Sequence, residues 1–94
     1  MVDEEFEWDD AKAARNLSKH GIRFDDARDV FRDPFAIELL DDRADYGEDR
    51  YILIGMAEPD MLVVVHTERH DRTRIISARK AAPNERRWYY DANS

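Results

Sequence analysis

Three runs of aliphatic and β-branched residues in the second half of the chain constrain its fold most. They read RYILIGM at 50–56, MLVVVHTE at 61–68 and TRIISAR at 73–79, and each has the length and composition of a β-strand. A proline-containing turn at 57–60 separates the first two runs, and RHDR at 69–72 joins the last two. Strands joined by such short loops pair antiparallel, so these runs predict a meander.

Two helical patterns precede the strands. In DDAKAARNLSKHG, at 9–21, an aspartate can cap the start, apolar residues recur at helical spacing, and Gly21 supplies a left-handed stop. FDDARDVFRDP, at 24–34, repeats this arrangement with Asp25 or Asp26 at its start and a proline at its end. The first third of the chain is therefore predicted to form two short helices.

The remaining segments complete the predicted fold. FAIELL, at 35–40, has the composition of a strand, and Pro83 suits the first turn of a final helix in APNERRWYYDA, at 82–92. The order α-α-β-β-β-β-α predicts one α+β domain over residues 1–94, with a small antiparallel sheet of about four strands and helices on one face. An additional short strand at 4–7 is compatible with this order.

The charges are distributed unevenly along the chain. Residues 1–65 hold 8 Lys and Arg against 18 Asp and Glu, residues 66–94 hold 7 against 4, and the formal net charge is −7. The overall charge argues against a non-specific nucleic-acid binder, but the last third can form a local cationic surface. Without cysteine there is no disulfide or thiolate metal site. No apolar run approaches the roughly 20 residues of a membrane span, so a cytoplasmic protein is expected.

Few histidines or carboxylates have a spacing that indicates a site. His66, Glu68 and His70 stand at alternate positions and would suit a metal ion on one strand face. His70 belongs to the turn, however, so no metal site is predicted. His20 either complements the C-terminal end of its helix or has a substrate role.

The aromatic residues fall into two groups. Trp8, Phe24 and Phe31 lie on apolar faces and are predicted to be core residues. The aromatic run at 88–90 is different, because one helix cannot bury three consecutive side chains. At least one of them is expected to be exposed, where it could stack on a base or contact a partner.

The hairpin between the last two strands decides which cations share a face of the sheet. With a three-residue loop, Arg69, Ser77 and Arg79 lie on one side, and with a two-residue loop they do not. The sequence leaves both registers open. Cations, a histidine and an acidic residue are the groups that cleavage of RNA by its own 2′-hydroxyl requires, since the reaction needs a base, a proton donor and charge on the phosphate.

Several separated blocks resemble one known family. WDDAKAARNLSKHGIRFDDARDVFRDP, RYILIG, LVVVHTER, RIISARKA and NERRWYYDA are similar, in this order, to the BrnT toxins of type II toxin–antitoxin systems, from Phe6 to Asp91. The resemblance implies a fold like that of the RelE-type ribonucleases and RNA cleavage that halts translation. The cations, histidine and acidic residue named above suit such cleavage without metal, and no cofactor is expected. The resemblance also implies a BrnA-like antitoxin with a ribbon-helix-helix domain, through which the complex contacts promoter DNA.

The same resemblance suggests five site residues by position, namely Lys19, His20, Arg69, Arg79 and Lys80. Glu68 is added because an acidic residue suits proton transfer, and Tyr89 because one residue of the aromatic run can bind substrate, although WYYDA departs here from the end typical of the family. The candidates for catalysis are then His20, Glu68, Arg69 and Arg79, and those for substrate binding are Lys19, Lys80 and Tyr89. Arg69 and Arg79 are expected to hold the scissile phosphate, because a guanidinium binds phosphate oxygens bidentately and stays protonated. The lysines would add positive charge. Proton transfer is assigned to Glu68 or His20, in an order that the sequence does not fix.

A non-catalytic binding module is the competing interpretation. In that case the cationic strand and the terminal aromatic residues would bind a protein or RNA without cutting it, and the acidic first part of the chain would fit a basic partner. Growth arrest with loss of mRNA on expression, relieved by the partner, would favour the nuclease over the module.

Overall fold

The three aliphatic runs form the centre of a five-stranded sheet in a computed structural model, which describes residues 1–43, 45 and 47–94. The strands are β1 (Phe6–Glu7), β2 (Ile37–Asp41), β3 (Arg50–Ala57), β4 (Asp60–Arg69) and β5 (Arg72–Lys80). The helices are α1 (Asp10–His20), α2 (Phe24–Ala27), which a 3-10 turn at Arg28–Arg32 continues, and α3 (Pro83–Ala92). The predicted α+β class is confirmed. Within the described residues, no helix is long and apolar enough to cross a membrane.

The strand order in the sheet is β1-β5-β4-β3-β2. β2 to β5 form the predicted antiparallel meander, in which Ile54 lies opposite Val63 and Val64 lies opposite Ala78. The fifth strand, β1, pairs with β5 in the parallel direction. The sheet is therefore mixed, and the short N-terminal strand adds to the four that the sequence predicts.

The ends of α1 agree with the sequence pattern. The Asp9 carboxylate accepts a hydrogen bond from the Lys12 N–H at 3.0 Å and caps the helix. Gly21, with φ of 72°, closes it by donating its N–H to the Leu17 carbonyl at 2.8 Å. The second predicted helix is shorter than expected, because α2 begins at Phe24 and passes into a 3-10 turn after one turn.

One face of the sheet, the first face, packs against α1 and α2. Its core contains buried residues of the helical region and of the central strands, among them Trp8, Phe24, Leu53, Val64 and Ile75. Trp8 and Phe24 meet edge to face, with ring centroids 5.7 Å apart. The prediction that the N-terminal aromatic residues belong to the core is confirmed.

The opposite face, the second face, packs against α3. Its buried residues are Ile54, Met61, Val63 and Tyr89. The expectation that all helices lie on one face is therefore wrong. The physical reason is visible in the central strands, which are apolar on both sides, because consecutive residues such as Val63 and Val64 point to opposite faces and both need cover.

A buried asparagine, Asn16, completes the hydrogen bonding of β5 beyond the short β1. Its Oδ1 accepts from the Ala78 N–H at 3.0 Å, and its Nδ2 donates to the Ala78 carbonyl at 2.8 Å and to the Ile22 carbonyl at 3.0 Å. Asn16 is 6% exposed. The side-chain amide thus satisfies the backbone groups that a neighbouring strand would otherwise pair.

A second polar contact fastens α3 to the sheet. The Tyr89 hydroxyl donates to the Asp33 carboxylate at 2.7 Å, and the same carboxylate accepts from the N–H groups of Met56 and Phe35 at 2.8 and 2.9 Å. Burial opposes ionisation of Asp33, but these three hydrogen bonds together hold its pKa below the usual value. Burial first, and then Asp33, raise the pKa of Tyr89 to about 12.

This contact predicts a loss of stability at alkaline pH. A tyrosine in the unfolded chain ionises near pH 10, so the neutral Tyr89 stabilises the fold fully below about pH 10, and the contribution is lost as the pH rises towards 12. The loss amounts to about 2–3 kcal/mol. Urea unfolding of the wild type and Tyr89→Phe should show it as a steeper alkaline decline in the wild type. Tyr90→Phe, at an exposed position, is the matched control, and equal declines in wild type and Tyr89→Phe would contradict the prediction.

Candidate active site

The register of the β4–β5 hairpin separates two of the predicted site residues. The strands are joined by the two-residue turn His70–Asp71, in which both residues have positive φ, 52° and 65°. Arg69 lies opposite Arg72 next to the turn, whereas Arg79 lies opposite Val63. Arg69 and Val63 are six positions apart on β4, which corresponds to about 20 Å. The predicted pairing of Arg69 and Arg79 on one phosphate is therefore wrong.

The hairpin also contains a bulge. Val65 pairs with Ser77 and His66 pairs with Ile75, so Ile76 is an extra residue in β5. Because of this extra residue, the side chains of β5 change faces relative to β4 on the far side of the bulge. Arg69, Ser77 and Arg79 consequently share the second face, although the turn has only two residues. The sequence argument considered loop length alone and did not include this possibility.

A polar cluster surrounds the turn end of the hairpin. Arg69 Nη2 lies 3.5 Å from Glu48 Oε1, and the Thr73 hydroxyl donates to Glu68 Oε1 at 3.2 Å. His66 is 3% exposed, and one of its ring nitrogens lies 3.2 Å from Glu38. Desolvation lowers the pKa of His66, against the opposing effect of Glu38 and Glu68. The predicted catalytic residues Glu68 and Arg69 thus both lie at the turn end of the hairpin, far from Arg79, but as consecutive residues of β4 they point to opposite faces of the sheet.

Arg79 is held by an acidic residue of α3. Its two terminal nitrogens donate to the two carboxylate oxygens of Glu85, each at 2.7 Å. This hydrogen bond raises the pKa of Arg79 against the effect of burial, and it lowers the pKa of Glu85. Glu85 also accepts from the Ala82 N–H at 2.8 Å. The guanidinium is therefore fixed in position, while its side chain stays 41% exposed and, within the described part of the chain, its Nε–H has no hydrogen-bond partner.

A cationic cleft lies beside the same strand. The α1–β5 cleft, about 370 Å³ in volume, is lined by Lys12, Arg15, Asn16, Lys19 and His20 of α1 and by Ile76 and Ser77 of β5. The structure thus brings together the predicted residues Lys19 and His20. Ser77 and Arg79 are alternate residues on one face of β5, with Cα atoms about 7 Å apart. Lys19 and His20 thus line the cleft beside Ser77, and Arg79 follows Ser77 by two residues on the same strand.

The last two predicted residues lie elsewhere. Lys80 points to the first face, opposite Leu62, and its Nζ lies 3.8 Å from the exposed Asp60. Tyr89 is only 6% exposed and donates to Asp33 in the core under α3. The structure thus places Tyr89 in the core, whereas the sequence predicts a substrate contact for it. Its neighbours Trp88 and Tyr90 are 48% and 54% exposed, as expected for a run of three aromatic residues.

Sequence reasoning missed two residues that shape this region, Glu85 and Asn16. A signal for Glu85 was present, because Pro83 at the first helical position places Glu85 at the third, where a carboxylate binds the N–H of the capping residue. The second contact of Glu85, its ion pair with Arg79, depends on how α3 packs against the sheet. No pattern in the sequence marks Asn16, which stands in an ordinary helical segment.

Comparison with protein families places the chain among known toxins. The model of the family described as "Ribonuclease toxin, BrnT, of type II toxin-antitoxin system" matches residues 8–85. The matched segment includes the α1–β5 cleft, Arg79 and Glu85. A search of curated proteins gave no significant match. Because the match extends over most of its length, the chain belongs to the BrnT family of ribonuclease toxins from type II toxin–antitoxin systems.

Proposed function

We propose that the protein is a metal-independent endoribonuclease that inhibits translation in the cytoplasm by cutting RNA at the C-terminal half of β5. The observation that carries this proposal is that Lys19 and His20 line a cleft with Ser77, which lies two residues from Arg79 on the same strand. Membership of a family of ribonuclease toxins supports it. The reaction is an attack of the 2′-oxygen on the adjacent phosphorus, which forms the P–O2′ bond and breaks the P–O5′ bond.

Each of the three residues has a distinct role in this proposal. Arg79, held by Glu85, binds the non-bridging oxygens of the scissile phosphate through its remaining N–H groups and stabilises the charge of the transition state. Lys19 adds a second positive charge. His20 transfers a proton to or from the reacting oxygens, which an imidazole can do in either direction. Glu85 acts through Arg79 and is a positioning residue.

The partner in this proposal is a BrnA-like antitoxin with a ribbon-helix-helix domain. Support comes from the family, whose members belong to type II toxin–antitoxin systems. The antitoxin would neutralise the toxin by direct binding, and it would supply the contacts of the complex with promoter DNA.

Purified protein should cut a single-stranded RNA oligonucleotide in the presence of EDTA. The expected products carry a 2′,3′-cyclic phosphate and a 5′-hydroxyl, because the 2′-oxygen is the nucleophile. An oligonucleotide with one 2′-deoxy substitution at the cleaved position is the control and should resist cleavage there. Mass spectrometry identifies the ends.

Two outcomes would contradict the proposal. Cleavage that EDTA abolishes and a divalent cation restores, with 5′-phosphate ends, would indicate metal-dependent hydrolysis. RNA binding without any cleavage, by a protein that is also harmless on expression, would favour the non-catalytic binding module.

A further inference from the structure

The cations of the α1–β5 cleft differ from most other cations of the molecule in lacking a carboxylate partner. Elsewhere, ion pairs join Arg28 to Asp3, Arg32 to Asp29, Arg69 to Glu48, Arg74 to Glu7, Arg79 to Glu85 and Lys80 to Asp60. Lys12, Arg15 and Lys19 form no ion pair with any residue that the structure describes. In a chain of net charge −7, they create a local positive surface.

The three cations form a row on one side of α1. Positions 12, 15 and 19 are separated by three and four residues, which aligns their side chains along a helix. From Lys12 to Lys19 the helix rises about 10 Å. All three residues are exposed, and Ile76 and Ser77 of β5 form the facing wall.

The acidic cap of α1, Asp9, lies near this row but forms no ion pair with it among the described residues. The Asp9 carboxylate accepts the Lys12 N–H, and this hydrogen bond is the main reason that its pKa is lowered, with smaller effects from the charges of Arg15 and Lys12. The Asp9 charge offsets part of the charge of Lys12 and Arg15, but within the described residues neither forms an ion pair, so both side chains can contact an anionic ligand. A polymer with regularly spaced negative charges fits a row of cations better than a single small anion does.

We propose that Lys12 and Arg15 bind successive backbone phosphates of the RNA strand, which continues past Lys19 to the scissile phosphate held by Arg79. This inference rests on the proposed function and adds a path for the substrate outside the reacting nucleotides. The row ends beside His20 and Ser77. An RNA strand bound along α1 would therefore extend to the reaction site. Phosphate contacts do not read bases, and the row consequently contributes affinity without sequence preference.

The test is RNA binding by the double variant Lys12→Glu/Arg15→Glu. The probe is a fluorescein-labelled 2′-O-methyl oligoribonucleotide, which cannot be cut, and fluorescence anisotropy measures its affinity between about 50 and 200 mM salt. Affinity should fall at least about tenfold at the lower salt concentration. The slope of log affinity against log salt should become shallower by about 1.4, because each phosphate contact contributes about 0.7 for a single strand.

Arg86→Glu/Arg87→Glu on α3 is the matched control, since it changes the net charge equally at exposed positions. Glutamate is a good helix former, and circular dichroism checks that both variants fold; Lys12→Gln/Arg15→Gln replaces the first variant if it does not. An equal loss in the two double variants, or an unchanged salt slope, would overturn the inference. Wild-type protein that binds the probe through this row but cuts no cleavable RNA would refute the proposed function alone.

Discussion

Arg79→Ala should slow RNA cleavage by about 10²–10³-fold, the usual effect of removing one donor that stabilises a transition-state charge. The reason is geometric as well as electrostatic, because the bidentate contact with Glu85 holds the guanidinium in one position. Single-turnover cleavage of a defined RNA measures the effect. Arg79→Lys should recover only part of the rate, since a lysine keeps the charge but lacks the planar fork.

Arg69→Ala is the informative control for this variant. The sequence predicts that Arg69 shares the phosphate with Arg79, but the hairpin places it about 20 Å away, beside Glu48. Its replacement should change the cleavage rate far less. A large loss in Arg69→Ala together with a normal rate in Arg79→Ala would move the site to the polar cluster at the turn end. Thermal unfolding of each variant separates loss of activity from loss of fold.

Replacement of Asn16 by leucine should lower the free energy of unfolding by about 3 kcal/mol or more. Leucine has a similar size but cannot hydrogen-bond, so the N–H and carbonyl of Ala78 and the carbonyl of Ile22 lose their partner. Each buried backbone group left unsatisfied costs about 1–3 kcal/mol. Urea denaturation monitored by circular dichroism gives the difference.

Two further variants of α1 serve as comparisons for this prediction. Ser18→Ala, at an exposed position of α1, should change stability by no more than about 0.5 kcal/mol. Asn16→Asp keeps an acceptor for the Ala78 N–H but removes both donors and buries a charge, so it should destabilise at least as much as leucine. A leucine variant as stable as the wild type would show that the three hydrogen bonds contribute little.

The local elements of the fold could be predicted because each depends on neighbouring residues. Asp9 and Gly21 mark the two ends of α1, and the aliphatic runs mark the strands. The position of α3 could not be deduced in the same way. Whether Tyr89 faces a substrate or the core depends on which face of the sheet the helix covers, and that choice is made by residues such as Ile54 and Val63, which are distant in sequence.

The residues of the candidate site could be predicted only one at a time. The sequence indicates Arg79, Lys19 and His20 individually, and in the structure Lys19 and His20 line a cleft beside the strand that carries Arg79. Their separation from Arg69 depends on a two-residue turn and on a bulge at Ile76, neither of which has a distinctive sequence. This bulge inserts one residue into β5 and contains neither glycine nor proline. Side-chain directions predicted from strict alternation are therefore reversed beyond it.

The contact between Asn16 and β5 also affects whether two copies of the chain can pair through the edge of the sheet. β1 pairs with only the first part of β5, through Thr73 and Arg74, and an open strand edge is a template on which another polypeptide can add a strand and aggregate. The side-chain amide occupies the backbone groups of Ala78 on that edge. A sheet that ends in a two-residue strand is thus closed to intermolecular pairing at this position by one side chain.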